Sequence, residues 1–379
     1  MSVSAVSEIS KDTNSWNVKR KNAKRVYAEV EDYYGKKLKK SEDVKIVNCS
    51  VKAGTACTKL IKEALSSVHP EVSSRYYGCG LTIPTKLSGK KVLDLGSGSG
   101  RDCYAISKLV GETGQVIGVD MTESQLSLAR SYIDYHMKEY GYKTPNISFV
   151  KGYLENLTDA GLKEDFFDVI VSNCTVCLSP DKRKLLTEAY KVLKFGGEMY
   201  FSDLYADKVV PETLHDNAEM WGEGMTSALV WTDFYKIAKE VGFTQPCLVS
   251  ISPLPICDKK YREALEDIHY VSATYRMFKL PTDEEKLNFT YKGTVPENED
   301  QLLFDHRTVF KCHEKKCNDF KMAAILKNSR YSEDFDFEDC SNLDEHEAVC
   351  YKPVNPFEYL AQLKSENRMP SPPPCSKRK

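Results

Sequence analysis

The stretch that most constrains the fold is Val92-Leu93-Asp94-Leu95-Gly96-Ser97-Gly98-Ser99-Gly100-Arg101-Asp102. It reads as a short buried strand, a turn that requires glycine, and the first turn of a helix. Glycine lacks a Cβ, so the backbone there takes φ > 0 and approaches a ligand closely. The helix that follows directs its unpaired N–H groups at whatever the turn holds. At the carboxyl end of the first strand of a parallel sheet, such a loop is where doubly wound α/β proteins bind nucleotide-like ligands.

The flanking pattern supports that placement. Strands are expected at Lys91–Leu95, around Val116–Val119, at Ile147–Lys151, Phe167–Ser172 and Glu198–Asp203. Helical spacing separates them, over Asp102–Val110, Thr122–Tyr140 and Pro180–Leu193. This alternation argues for an α/β fold with a parallel sheet covered on both faces. The chain of 379 residues exceeds the usual single domain. The expected layout is a disordered N-terminus over 1–21, a helical thiol-bearing segment over 22–75, the sheet domain over 76–245, an α+β unit over 246–335, and a mostly disordered tail over 336–379.

Bulk properties exclude several classes. A formal net charge of −2 provides no electrostatic case for a nucleic-acid or membrane partner. The N-terminus is polar and lacks the apolar core of a secretory signal, and no run approaches the ~20 apolar residues of a membrane helix. The expected location is cytoplasmic. Thirteen cysteines in such a chain read as reduced, redox-active or metal-binding thiols rather than a disulfide framework. Cys312 and Cys317 form only one close pair, whereas zinc normally takes four ligands. No Gly-x-Ser-x-Gly elbow supports a hydrolase.

The order Asp94-x-Gly96-x-Gly98-x-Gly100 differs from the dinucleotide fingerprint Gly-x-Gly-x-x-Gly. A pyrophosphate disfavours a neighbouring carboxylate, whereas the ammonium and sulfonium of S-adenosylmethionine suit one. Asp120, twenty residues after Gly100 at the end of the next strand, stands where a carboxylate would accept ribose hydroxyls. Met121 is soft enough to pack on an adenine face, and Gly152-Tyr153-Leu154-Glu155 follows the third strand. An Asp closing a strand is commonly only a helix cap; the set at consecutive strand ends argues for the ligand.

Further motifs lie outside that loop: Arg75-Tyr-Tyr-Gly-Cys79-Gly, Asp120-Met-Thr122, Val171-Ser-Asn-Cys174, Pro180-Asp-Lys182, Gly197-Glu-Met-Tyr-Phe-Ser-Asp203, Trp221-Gly-Glu223 and Ala323-Ala-Ile-Leu-Lys-Asn-Ser-Arg330. Together they resemble the arsenite methyltransferases over roughly residues 25–335. The resemblance implies a Rossmann-like class I methyltransferase domain that moves methyl groups from S-adenosylmethionine to trivalent arsenic held by cysteine thiolates. It implies glutathione or thioredoxin as thiol reductant. It also places Tyr77 and Asn173 in the cofactor set with Asp94, Gly96, Gly98, Gly100, Asp120, Met121, Tyr153 and Leu154.

The resemblance carries the family's working cysteines onto Cys49, Cys79 and Cys174. The fourth falls after Trp221-Gly-Glu223, where this chain has Gly224. Cys177 stands where relatives commonly carry Asn. If Cys174 and Cys177 share one turn, their sulfurs are able to close on a single arsenic; in an extended segment they would face opposite sides. The missing thiol leaves two alternatives beside arsenite methylation: a methyltransferase acting on methylated arsenicals or another small nucleophile, and a non-catalytic metalloid-binding protein.

Overall fold

The computed structural model describes residues 23–38, 40–44, 57–256, 258–265, 267–282, 284–340 and 352–368, which leaves Cys49 outside the described residues. Five parallel strands form the centre: β1 (Lys91–Leu95), β2 (Gln115–Asp120), β3 (Ile147–Lys151), β4 (Phe167–Asn173) and β5 (Leu193–Ala206), in the order β3-β2-β1-β4-β5. The short β6 (Leu229–Val230) pairs with the end of β5. Beyond β5 the sheet continues antiparallel through β8 (Tyr270–Phe278) to β7 (Cys247–Pro253).

Successive side chains of a strand point to opposite faces, and helices cover both. Val92, Val169 and Val171 pack under α4 (Arg101–Val110) and α2 (Lys59–Ser66). Leu93, Leu95 and Ile170 pack on the opposite side with α7 (Lys182–Val192) and α9 (Trp231–Val241). Burial on both faces explains why the central β1 and β4 run largely apolar, whereas the edge strand β3 alternates. The expected single helix over Thr122–Tyr140 is two, Glu123–Ser131 and Ile133–Tyr140, broken at Tyr132, whose ring stacks on His69 at 4.2 Å.

Two expectations about organisation need correction. The stretch 246–335 is not one separate unit: its first two strands, β7 and β8, belong to the main sheet. Their antiparallel pairing with β5 is a long-range register that local patterning does not reveal. The smaller unit starts later, with the three-stranded sheet Lys315–Lys316, Leu287–Tyr291 and Phe335–Asp339 packed against the helix Phe320–Asn328. Within 336–379 the described residues, 336–340 and 352–368, are largely structured. Residues 336–339 complete that sheet, and the helix Pro356–Ser365 buries Leu363 against the main core, with Phe357 and Leu360 packed beside it.

The two units share a buried ionic junction. On β5, Glu198 accepts a hydrogen bond from Arg276 Nε at 2.7 Å through one oxygen and from Arg330 through the other. Arg276 also donates to the Phe304 carbonyl at 2.9 Å and to Tyr331 Oη at 3.0 Å.

Candidate active site

The glycine loop sits at the carboxyl end of β1, as its sequence requires. Gly96, Gly98 and Gly100 have φ of +76°, +51° and +86°. A Cβ on Gly96 would collide with the Thr175 side chain, and one on Gly100 would lie 2.7 Å from the Phe149 ring. A Cβ on Gly98 would meet nothing within 4 Å. The outer glycines therefore serve packing, and the middle one faces open space.

Asp120 closes this loop. Its Oδ2 accepts the Gly98 N–H at 2.9 Å and its Oδ1 the Thr122 N–H at 2.8 Å. Asp94 is buried at the end of β1 and accepts a hydrogen bond from Cys103 Sγ at 3.0 Å. Burial, reinforced by the neighbouring Asp102, pushes its carboxyl up to about 7. Cys103 reads from sequence as core alone. It is buried, but it also orients this carboxyl.

Asp94, Gly98, Asp120, Met121, Tyr153 and Leu154 line one cleft of about 1020 Å³, its open mouth included. Its outer wall comes from α1 (Ala23–Asp32) and the turn after it, through Tyr27, Val30 and Tyr34. Tyr27 packs on Tyr153 with ring centroids 4.5 Å apart. Tyr34 Oη donates to the Gly222 carbonyl at 2.9 Å, and Tyr33 Oη donates to Glu223. Helical spacing marks α1 as amphipathic, but the identity of the surface it covers is a tertiary fact. Tyr77 lines the same cleft.

The thiols gather at the rim. Asn173, at the end of β4, clamps the loop that carries Cys79. Its Oδ1 accepts the Cys79 N–H at 2.8 Å and the Gly80 N–H at 3.2 Å, while its Nδ2 donates to Tyr76 Oη at 2.6 Å and the Gly80 carbonyl at 2.9 Å. The glycines beside Cys79 permit this approach: a Cβ on Gly78 would lie 2.6 Å from Asn173 Cγ, and one on Gly80 2.8 Å from Ser202 Cβ. Asn173 lines the cleft, and both ends of its amide also serve the thiol loop.

Cys79 and Cys174 are joined as a disulfide, with Cα atoms 5.7 Å apart across 95 residues. They are not two free thiolates in this state. Cys174 lines the cleft and has φ +54°, a left-handed conformation that a non-glycine residue adopts at a cost. The chain then enters a 3₁₀ turn over Val176–Leu178, so Cys174 and Cys177 are separated by a turn and not by extended strand. Cys177 is buried, its N–H donating to Asp203 Oδ2 at 2.9 Å. Burial, reinforced by the Asp203 carboxylate, pushes its thiol well above the usual range. A Cβ at Gly224 would stand 3.1 Å from Cys177 Sγ.

These residues fit S-adenosylmethionine. An open glycine faces the cleft, a buried carboxyl at its base has no cation beside it among the described residues and would be held ionised by one, and aromatic and thioether side chains line its walls. A parallel sheet with an antiparallel extension beyond β5, together with this loop and these strand-end carboxylates, defines a class I S-adenosylmethionine-dependent methyltransferase. Residues 86–242 match the family described as a methyltransferase domain, and residues 284–379 match the arsenite methyltransferase C-terminal domain. The arsenite methyltransferase of Mus musculus is 44% identical over 319 residues, covering 84% of this chain and 85% of its own. That of Homo sapiens is 45% identical over 314 residues, covering 82% and 83%. The crystal structure of an arsenic(III) S-adenosylmethionine methyltransferase from Chlamydomonas reinhardtii superposes with a TM-score of 0.71 at 37% identity, over 78% of this chain and 99% of that one. The chain belongs to the arsenite methyltransferase family.

Among the described residues, no group of three or more His, Cys, Asp or Glu is placed to hold a metal ion, and no helix is long and apolar enough to cross a membrane.

Proposed function

We propose that this chain transfers methyl groups from S-adenosylmethionine to trivalent arsenic held by its own cysteine thiolates. The observation that carries this reading is the position of the Cys79–Cys174 pair. Cys174 lines the same cleft as Asp94 and Gly98, and Cys79 is bonded to it. S-adenosylmethionine, when bound, supplies an electrophilic methyl group suited to a soft lone pair.

The protein's own residues do the rest. Gly98, Asp120 and Met121 would hold the nucleoside end, on a turn that Gly96 and Gly100 shape by packing, and Asp94 the cationic end. The Tyr27, Tyr34 and Tyr153 rings narrow the approach of water, which favours transfer in a dry gap. Opening the disulfide releases two thiolates, for which a thiol reductant of the glutathione or thioredoxin kind is required. A metalloid that takes three sulfurs would need Cys177 brought to the opened pair, because the three are not gathered on one point in this state, and Cys49 would serve as redox partner. The reaction is expected in the cytoplasm, where thiols stay reduced.

Gly224 favours a second reading, in which a methylated arsenical that needs fewer thiols is the better acceptor. Both are tested with full-length protein, donor and glutathione, offered arsenite or monomethylarsonous acid. Methylated products that vanish in Cys174→Ser support arsenic methylation. A marked preference for the methylated substrate, reduced by Gly224→Cys, favours the second reading. Wild-type protein that binds the donor and methylates neither acceptor overturns both.

A further inference from the structure

The segment Cys174-Thr175-Val176-Cys177 is a Cys-x-x-Cys sequence whose first cysteine is already in a disulfide and whose second is free. Three features of the fold bear on what the free thiol does. The chain leaves β4 at Cys174 with φ +54° and turns at once, closed by Leu178 N–H to the Thr175 carbonyl at 3.0 Å. Cys177 is 3% exposed, and the 2%-exposed Asp203 carboxylate stands beside it. That carboxylate receives the Cys177 N–H at 2.9 Å and is hydrogen-bonded to its thiol as well. Finally, Leu204 Cδ1 and Cys177 Sγ both border the space above Gly224, at 2.8 Å and 3.1 Å from its Cβ position, while Leu204 packs in one cluster with Cys79 and Cys174. Glycine at 224 leaves room beside the sulfur.

We infer that Cys177 is the resolving thiol of the Cys79–Cys174 disulfide, with Asp203 as the positioning residue that takes its proton. Cys177 passes its proton to Asp203 and attacks Sγ of Cys174. The Cys174–Cys177 bond forms as the Cys79–Cys174 bond breaks, and Cys79 leaves as a thiolate that recovers the proton from Asp203. The exchange is an isomerisation, with no net oxidation and no external reagent. Burial disfavours both the carboxylate and the thiolate, while the buried Lys182 ammonium beside them favours each, so a proton passed between them shifts one negative charge beside that cation and creates no second. A Cys-x-x-Cys pair opening a helical turn is a known setting for such chemistry. The exchange frees Cys79 without exposing Cys174 to solvent. Its consequence for which thiols then take arsenic rests on the function proposed above, whereas the exchange itself does not.

The test needs neither arsenic nor donor. Full-length protein is oxidised with diamide, quenched in acid, alkylated and mapped for disulfides by mass spectrometry. In Cys79→Ser, a Cys174–Cys177 disulfide is expected as a principal product; Cys174 and Cys177 both fully alkylated after oxidation would overturn the inference. Circular dichroism and S-adenosylhomocysteine binding verify that the variant folds. If it does not, wild type and Cys177→Ser are compared for the rate at which dithiothreitol opens the Cys79–Cys174 bond. A fall of about tenfold in Cys177→Ser supports the exchange, and an unchanged rate overturns it. Asp203→Asn should make the rate fall with each unit of pH below neutrality, where the wild type stays level. A parallel loss at every pH would instead mean a purely structural Asp203 and would remove it from the proposal.

Discussion

A Cβ at Gly224 would stand 3.1 Å from the sulfur of Cys177 and 2.8 Å from Leu204 Cδ1, so the two positions compete for one space. Gly224 also has φ +80°, where a side chain strains the backbone. Any side chain at 224 would have to grow into the volume that this chain fills with the Cys177 sulfur from the neighbouring turn.

Gly224→Ala is therefore expected to lower stability by about 1–3 kcal/mol, from crowding together with backbone strain. Cys177→Ala in the same chain should recover part of that loss, because it removes one of the two clashing atoms. Urea denaturation of both single variants and the double variant measures the coupling. Strict additivity would show that the two positions do not compete.

Asp94 carries a pH dependence whose sign follows from its burial. Its folded carboxyl titrates at about 7, above the ordinary 3.8, so ionisation is disfavoured in the donor-free fold. Stability without donor should fall as pH rises from about 4 to 7. A cationic donor reverses the preference, so affinity for S-adenosylmethionine should rise with pH up to about 7, by at most tenfold per unit, and then level off. Asp94→Asn should be more stable without donor above pH 7, bind it more weakly and lose the pH dependence. Calorimetry at pH 6, 7 and 8 in buffers of different ionisation enthalpy checks the proton count.

The α1 segment is expected to contribute directly to donor affinity. Tyr34→Phe removes one hydrogen bond to the Gly222 carbonyl, about 0.5–1.5 kcal/mol. The dissociation constant for S-adenosylhomocysteine should rise between about 2-fold and 10-fold with an unchanged far-ultraviolet spectrum. An unaltered constant would mean that this wall plays no part in holding the donor.

Removing the Asn173 amide should uncouple the thiol loop from the donor site. Asn173→Ala deletes bonds to Cys79 N and Gly80 N and frees the loop from β4. Formation of the Cys79–Cys174 disulfide under mild oxidation is expected to slow by about tenfold, while donor affinity changes much less. Disulfide mapping beside calorimetry separates the effects.

At the junction of the two units, Arg276→Met leaves Glu198 with Arg330 as its remaining cation in a fully buried place. Breaking such a pair costs about 3–5 kcal/mol. The expected result is a lowered denaturation midpoint.

Much of this site was legible in local sequence, for a physical reason. The Gly96–Gly100 turn, Asp94 and Asp120 at strand ends, and Gly78 and Gly80 beside Cys79 are set by backbone conformations that only a few residue types support. Strand and helix periods place those ends on the same edge of a parallel sheet. The sequence, by itself, thus determined the α/β domain and its donor loop, and the resemblance of its motifs pointed to the arsenic chemistry.

Only the tertiary structure decided which surfaces meet. Cys79 and Cys174 lie 95 residues apart and pair because Asn173 fastens one loop to the strand that carries the other. β7 and β8 join the main sheet through registers with β5 that no short window encodes. Tyr27 and Tyr34 reveal their role only when α1 lands on the donor cleft. Cys177 meets Asp203 and the space above Gly224 through contacts between β4, β5 and a distant loop. Local sequence specifies conformation through backbone sterics, whereas long-range contacts depend on how buried surfaces fit together once the whole chain has packed.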